Sequence, residues 1–340
     1  MNVLGISCFY HDAAAALRRD GEVVAAVEEE RFSRQKHDNS FPKNAIDYCL
    51  KEGGIEPGDV DKVVFYEKPI QKFDRILETA ADVFPRGYLF FSEVLPEWLG
   101  TKLRIRKKLS KEIGYKGEVE FLEHHHSHAA SAFYPSPFDE AAVLTVDGIG
   151  EWKSNELFVA GEEGIEPLKH IEFPDSIGLL YSTMTAFLGF MVNNDEYKVM
   201  GLASYGEPRY RDEFEEFIEI NDDGSYSLDQ DYFAYTYSKK MWSREMEELL
   251  GEPRKEGEEL MQRHKDIAAT LQDVLEEVLM KQVEHLYSIT DTENLCMAGG
   301  VALNSAANGK IREQMPFENI WIQPAAGDSG GSMGAALERS

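Results

Sequence analysis

Cysteine is scarce in this 340-residue sequence: Cys8, Cys49 and Cys296 are the whole complement. Their wide spacing excludes a disulfide framework and a zinc knuckle, and the three read as core positions. Positive charge is also short, with 35 Lys and Arg against 62 Asp and Glu and a net charge of −27. Such a field repels phosphate backbones and anionic membranes, which disfavours both a nucleic-acid partner and a membrane partner. The longest apolar stretch, Ile177 to Val192, is too short and too rich in Ser, Thr and Gly to span a bilayer. The cysteine usage makes the cytoplasm the expected compartment, and the first residues read as a strand-like run and not as a signal peptide. The Gly-x-x-x-x-Gly-Lys-Ser/Thr phosphate loop, the Gly-x-Gly-x-x-Gly dinucleotide fingerprint and His-Glu-x-x-His are all absent. Phosphate chemistry in this chain would belong to another architecture.

What is present is an ordinary globular composition, 43% hydrophobic and 11% aromatic, in a length that predicts two lobes. Asn2 to Cys8 reads as a buried strand, followed by a hairpin of Ala13–Leu17 and Glu22–Glu28 with Asp20-Gly21 as its turn. Ile46, Cys49 and Leu50 form a helical stripe that starts near Pro42 and stops at Gly53-Gly54. Val60–Tyr66 reads as a strand, residues 70 to 115 as mostly helix, and Glu118–Leu122 as a short strand. The basic patch Lys102 to Lys111 reads as a solvated helix face that could also steer an anionic ligand. Ala141–Gly150 and Glu156–Ala160 repeat the strand, turn and strand of residues 3 to 17, which suggests a duplicated fold with a ligand between the copies. The expected lobes are residues 1–135 and 136–340. A long amphipathic helix spans Glu258–Ser288, a helix spans Val301–Ile311, and a final helix barely begins before Ser340, so the chain reads as a fragment of a longer protein.

Chemistry concentrates in a few places. His124 and His128 are four apart at a helix start, so both imidazoles can face one divalent metal, with His125 and His126 facing elsewhere. Asp147, at a strand end, and Asp328, in a glycine loop, are suited to complete such a site. The same histidine run also fits a packed or solvated helix end. The turns at Gly148-Ile-Gly150, Gly299-Gly300 and Gly327 to Gly331, which include Ser329, expose backbone N–H groups suited to phosphate, or serve as ordinary turns. His11-Asp12 lies in the first tight turn, where His11 suits either a general base or a capping role. Lys36 closes the polar run Glu28 to Asp38, for which a solvated loop is the alternative. Asp195 to Ala203 packs charges, Lys198 among them, against an apolar turn.

Together, Gly5-Ile-Ser-Cys-Phe-Tyr-His11-Asp12, Glu28 to Asp38, His124 to Phe133, Val146-Asp-Gly-Ile-Gly-Glu151, Glu196-Tyr-Lys-Val-Met-Gly-Leu202 and Gly299-Gly-Val-Ala-Leu-Asn304 resemble the NodU/CmcH-type O-carbamoyltransferases. The resemblance covers essentially the whole chain. It implies an α/β fold of two ribonuclease-H-like lobes around a nucleotide cleft, as in the actin, sugar-kinase and acetate-kinase superfamily. The N-terminal domain of these enzymes is similar to the tRNA threonylcarbamoyladenosine transferases. By this resemblance His124, His128, Asp147 and Asp328 match metal ligands, with iron as the implied metal. His11 and Lys36 match residues near the carbamoyl group, Gly299, Gly300 and Asn304 lie along the nucleotide, and Lys198 is a looser match.

The implied chemistry makes carbamoyladenylate from carbamoyl phosphate and ATP, then passes the carbamoyl group to a hydroxyl of a small-molecule acceptor. The first step belongs to a YrdC-like domain that has no counterpart here, so it would be supplied in cis or in trans. A homodimer is a further partner allowed by this reading. An ATP-dependent phosphotransferase of the same superfamily and a catalytically silent nucleotide-binding module are the rival functions.

Overall fold

The computed structural model describes residues 1–100 and 102–338. Arg339 and Ser340, the end of the second expected lobe, and the side chain of Lys102, the start of the basic patch, lie outside what is described. The first sheet contains β1 (Asn2–Ser7), β2 (Ala14–Arg19), β3 (Glu22–Glu28), β4 (Lys62–Phe65) and β5 (Val119–Phe121). Its order is β3-β2-β1-β4-β5. The hairpins β1–β2 and β2–β3 are antiparallel, whereas β1–β4 and β4–β5 are parallel. Asp20 and Gly21 both take positive φ, 51° and 98°, which is the twist that a two-residue hairpin demands.

The second half begins with β6 (Ala141–Val146), β7 (Lys153–Gly161) and β8 (Gly164–Glu172). A separate small hairpin of β9 (Ile218–Ile220) and β10 (Tyr226–Leu228) follows, and then β11 (Asn294–Ala298) and β12 (Asn319–Ile322). The second sheet runs β12-β11-β6-β7-β8, which is the first sheet's order read from the other edge. Its pairings match as well, with β6–β7 and β7–β8 antiparallel and β6–β11 and β11–β12 parallel. The duplication expected from two strand-turn-strand units is therefore a duplication of whole five-stranded sheets. β1 is buried from its second residue onward and β6 throughout, because each is central and covered on both faces.

Local chemistry sets the helix limits. The helix Lys43–Gly53 ends where Gly54 turns left-handed (φ 60°) and its N–H caps Leu50 and Lys51. The stretch 70–115 divides into Pro69–Asp82, Tyr88–Gly100 and Ile105–Ile113. The helix expected over Val301–Ile311 begins instead at Ser305, after a tight turn over Gly300–Leu303. Asn304 is its N-cap and accepts the Ala307 N–H at 3.0 Å, which shifts the start by four residues.

Two helices hold the lobes' chemistry in place. His124–Phe133 and Asp328–Leu337 pack against each other, and the second crosses back to lie on β1 and β2 of the first sheet. Gly5 and Gly334 make this possible: a Cβ at Gly5 would run into Ser332 and Ala336, and one at Gly334 into the Ser127 carbonyl. The 28-residue helix Gln262–Ile289 forms the spine of the larger core, with Ile267, Leu271, Val274, Leu275, Val278 and Leu279 buried. No helix of the described residues is long and apolar enough to cross a membrane.

Candidate active site

β1 ends in the turn carrying Tyr10, His11 and Asp12, and β6 ends at Asp147. Because the two sheets share one topology, these equivalent strand ends meet in one cleft. β11 delivers Gly299 and Gly300 alongside, and the Ala325–Gly327 loop delivers Asp328. The two glycine loops are laced together, since the Gly299 N–H donates to the Ala326 carbonyl at 2.8 Å. The resulting cavity of about 450 Å³ is lined by His11, Asp12, Lys36, His37, Asp147, Gly148, Gly300, Asn304, Gly327 and Asp328, with Leu179, Tyr197, Met200 and Leu303 as apolar wall.

Asp147 and Asp328 line this cavity, and with the fully buried His124 and His128 they bring four ligand-type atoms, one from each residue, within 4.8 Å of one another. His124 Nε2 approaches Asp147 Oδ2 at 2.8 Å and His128 Nε2 at 3.1 Å. Asp328 Oδ1 stands 3.7 Å from His124 Nε2 and 3.8 Å from His128 Nε2. A single ring nitrogen cannot both donate to Asp147 and accept from His128. The Nδ1 atoms of both histidines are buried without a partner. Two imidazoles and two carboxylates aimed at one point are a donor set for a first-row divalent cation, and these residues fit one.

Burial opposes charge on His124, but the bond to Asp147 and the nearby Asp328 raise its pKa to about 9. Asp147 is held well below the usual carboxylate range: burial works against its charge, and the two histidines outweigh it. Asp328 is pushed up, by burial first and by the facing Asp147 charge as well. Tyr66 O–H donates to Asp328 Oδ2 at 3.3 Å.

The supporting contacts were invisible in sequence. The Glu151 carboxylate accepts the His124 N–H at 3.1 Å on each oxygen and the Lys68 N–H at 2.7 Å, so it caps the histidine helix. His125 is turned away onto Thr145 Oγ1 and the Lys153 carbonyl, and His126 onto Glu338. Lys72 is buried, pairs with Glu67 at 2.6 Å and places its ammonium 3.8 Å from the centre of the Tyr10 ring. Tyr66 and Glu151 each carried a signal, a polar side chain just past a strand or a glycine turn, but nothing local showed what they would meet.

The other expected site residues divide. His11 and Lys36 line the cavity with Gly148, Gly300, Asn304 and Gly327. The Gly300 N–H donates to Asp147 Oδ1 at 3.1 Å, so it holds the carboxylate. Asn304 turns its amide inward onto Gln272, at 2.9 and 3.0 Å. Gly150 packs beneath His124, where a Cβ would come within 3.1 Å of that side chain. Gly299 (φ 95°) packs on the Val146 backbone, and Ser329 is buried with its carbonyl accepting from Ser332. Lys198 stands apart: it pairs with Asp195 at 2.8 Å and borders a separate open groove with Phe190 and Tyr205.

His11 has both ring nitrogens engaged by acceptors. Nδ1–H donates to Asp12 at 2.7 Å and Nε2–H to the Asn193 carbonyl at 2.9 Å. Burial lowers its basicity, but the bonds to Asp12 and Asn193 prevail and raise the pKa to about 9. In this arrangement His11 is an imidazolium that ties the first lobe to the second.

The chain belongs to the carbamoyltransferase family: the family's model, "Carbamoyltransferase N-terminus", matches residues 2–337. It is 49% identical over 346 residues to "Uncharacterized protein sll1178" of Synechocystis sp., covering 99% of this chain and 56% of that protein. It is 38% identical over 336 residues to "Nodulation protein NolNO" of Sinorhizobium fredii, covering 98% of this chain and 46% of that protein. The chain thus spans about half the length of the curated relatives it matches. Among solved structures, component A of the Acidaminococcus fermentans (R)-2-hydroxyglutaryl-CoA dehydratase shares the fold, with TM-score 0.51 and 15% identity over 99% of this chain and 96% of that one. Full-length HypF in a phosphate- and nucleotide-bound form does too, with TM-score 0.51 and 13% identity over 99% of this chain and 46% of that one. The shared fold is α/β, two five-stranded sheets of one topology around a cleft.

Proposed function

We propose that this chain carries the transfer site of an O-carbamoyltransferase, which moves a carbamoyl group from carbamoyladenylate to a hydroxyl of a small molecule. The observation that carries this reading is the convergence of the buried His124 and His128 on Asp147 and Asp328, two carboxylates that line a cavity together with His11 and Lys36. A sugar kinase of this fold needs the cleft but binds its metal through nucleotide phosphates, so a buried donor set of protein side chains favours the transferase over the phosphotransferase. His124, His128, Asp147 and Asp328 would hold a divalent metal, iron by the family resemblance, and its charge would bind phosphate oxygens and orient the mixed anhydride.

The chain's own groups supply the rest. Lys36 places an ammonium for the carbamoyl oxygen, where negative charge develops as the acceptor oxygen attacks the carbamoyl carbon. The bond from that carbon to the phosphate oxygen breaks and AMP departs. The hydroxyl proton passes to His11 Nε2, with Asp12 holding the ring through Nδ1. His11 must first lose a proton and release the Asn193 carbonyl, so the substrate hydroxyl takes that carbonyl's place. The carbamoyladenylate itself would come from a YrdC-like domain in cis or in trans, with carbamoyl phosphate and ATP as its substrates. The cytoplasm, where these metabolites occur, is the compartment this reading requires.

The test is AMP release from preformed carbamoyladenylate in the presence of a hydroxyl acceptor, with full-length chain and its His11→Ala and Lys36→Ala variants. Turnover lost in both variants supports the roles. Turnover equal to wild type in His11→Ala removes the base assignment, and no turnover in any protein favours the silent nucleotide-binding module.

A further inference from the structure

A second group of ligand-type side chains lies in the cavity, apart from the His124 cluster. We propose that His11, Asp12 and His37 form a second divalent-cation site, with the Nδ1 atoms of both imidazoles and the Asp12 carboxylate as ligands. The inference goes beyond carbamoyl transfer and does not rest on it.

The geometry is already assembled. Asp12 receives His11 Nδ1–H at 2.7 Å on one oxygen and His37 Nδ1–H at 3.0 Å on the other. The three ligand atoms lie within 4.8 Å of one another. Each imidazole therefore aims at Asp12 the nitrogen that, once deprotonated, becomes a lone pair. Ligand atoms held at about 2.0–2.2 Å from one cation stand roughly 3.0–3.5 Å from each other, so the hydrogen-bonded nitrogens and oxygens move apart by some tenths of an ångström to admit it.

The outer contact of His11 is also that of a metal ligand, whereas His37 Nε2 is buried without a partner. A ligating histidine normally donates its other N–H to a carbonyl or carboxylate, which orients the ring. His11 does this, with Nε2–H on the Asn193 carbonyl at 2.9 Å. The two loops bearing the ligands are laced: Phe9 N–H donates to the Asn39 carbonyl at 2.8 Å and Ala13 N–H to the Asp38 carbonyl at 2.9 Å. Asn39 Nδ2 adds a bond to the Tyr10 carbonyl at 2.9 Å. His37 is held with φ 54°, an uncommon conformation for a non-glycine residue, by its N–H on Glu30 at 3.0 Å. Ordering such a loop before the ligand arrives lowers the entropic cost of binding.

Two imidazoles and one carboxylate suit zinc, cobalt or another first-row divalent cation and leave coordination positions open to the cavity that all three residues line. A cation on His11 Nδ1 leaves Nε2–H on Asn193. Metal ligand and proton acceptor are thus alternative states of one side chain, and occupancy of this site would silence a base at His11.

The experiment is Co²⁺ titration of the full chain without substrates, read by calorimetric stoichiometry and by visible d–d absorbance. Wild type is expected to take up one equivalent more than His37→Ala and Asp12→Asn, whatever the filling of the His124 group. His37→Cys, which restores a donor, is expected to recover that equivalent. Thermal unfolding of His37→Ala verifies that this part-exposed loop variant is folded. Equal uptake by wild type, His37→Ala and Asp12→Asn would overturn the proposal. Because no substrate is present, a failed transfer assay leaves this result intact, and a failed titration leaves the transfer reading intact.

Discussion

Gly334, in the last helix, lies against the carbonyl of Ser127 in the histidine helix, and there is no room for a side chain between them. This contact sets the spacing of the two helices and brings Asp328, at the start of one, to His124 and His128, near the start of the other. Gly334→Ala is expected to destabilise the chain by about 1–3 kcal/mol through overpacking and to weaken metal uptake at the His124 group. Denaturant unfolding at constant m-value checks the first part. An unchanged midpoint would show that the helices separate freely.

The His124 group is expected to hold about one first-row metal per chain in protein purified without chelator. Elemental analysis should find that equivalent lost in His128→Ala and in Asp328→Asn, with nucleotide titration weakened in the same variants. Nucleotide binding at wild-type strength in metal-free variants would detach the two and favour a kinase-like cleft.

His11 predicts a pH signature with a definite sign. Its pKa is about 9 in the folded chain, against about 6.5 for an unperturbed histidine. A raised folded-state pKa stabilises the fold fully below about pH 6.5, and that contribution is lost as pH rises through about 9. The unfolding free energy of wild type should therefore fall across this window relative to His11→Gln. Over the same window transfer from preformed carbamoyladenylate should rise roughly tenfold per pH unit and level off near pH 9 as His11 becomes a free base. Parallel stability curves would mean that His11 is not charged in the fold.

Glu151 is expected to matter for structure more than for chemistry. It is buried and accepts the first N–H of the histidine helix together with the Lys68 N–H. Glu151→Ala leaves two amides without a partner and should cost about 1–3 kcal/mol, measured by equilibrium unfolding. A loss below a few tenths would mean that water replaces the carboxylate.

Lys198 gives the opposite expectation. Its ammonium pairs with Asp195 at the surface and borders the outer groove. Lys198→Ala should leave calorimetric ADP binding close to wild type, because the ammonium is held by Asp195 and does not line the central cavity. A large loss of affinity would place the nucleotide in that groove instead of the central cavity.

Much of the fold was legible because its signals are short-range. The Asp20-Gly21 turn, the Gly54 stop and the run of buried residues in β1 and β6 depend on neighbours a few positions away. The i, i+4 spacing of His124 and His128 likewise placed two imidazoles on one helix face. The helix start at Ser305 was missed because the Gly300–Leu303 turn was read as helix, when Asn304 is the cap that decides it.

The site itself was decided at long range. Asp147 meets His124 because the two sheets repeat one topology and bring equivalent strand ends to one cleft, and Asp328 joins them because the last helix crosses back onto β1. His37 meets Asp12 across 25 positions, and Glu151 meets His124 across 27. The sequence alone determined the residue types, the turns and the periodicities. Only the packing of one buried surface on another, which depends on glycines such as Gly5 and Gly334 having no side chain, decided which of those residues face a common point.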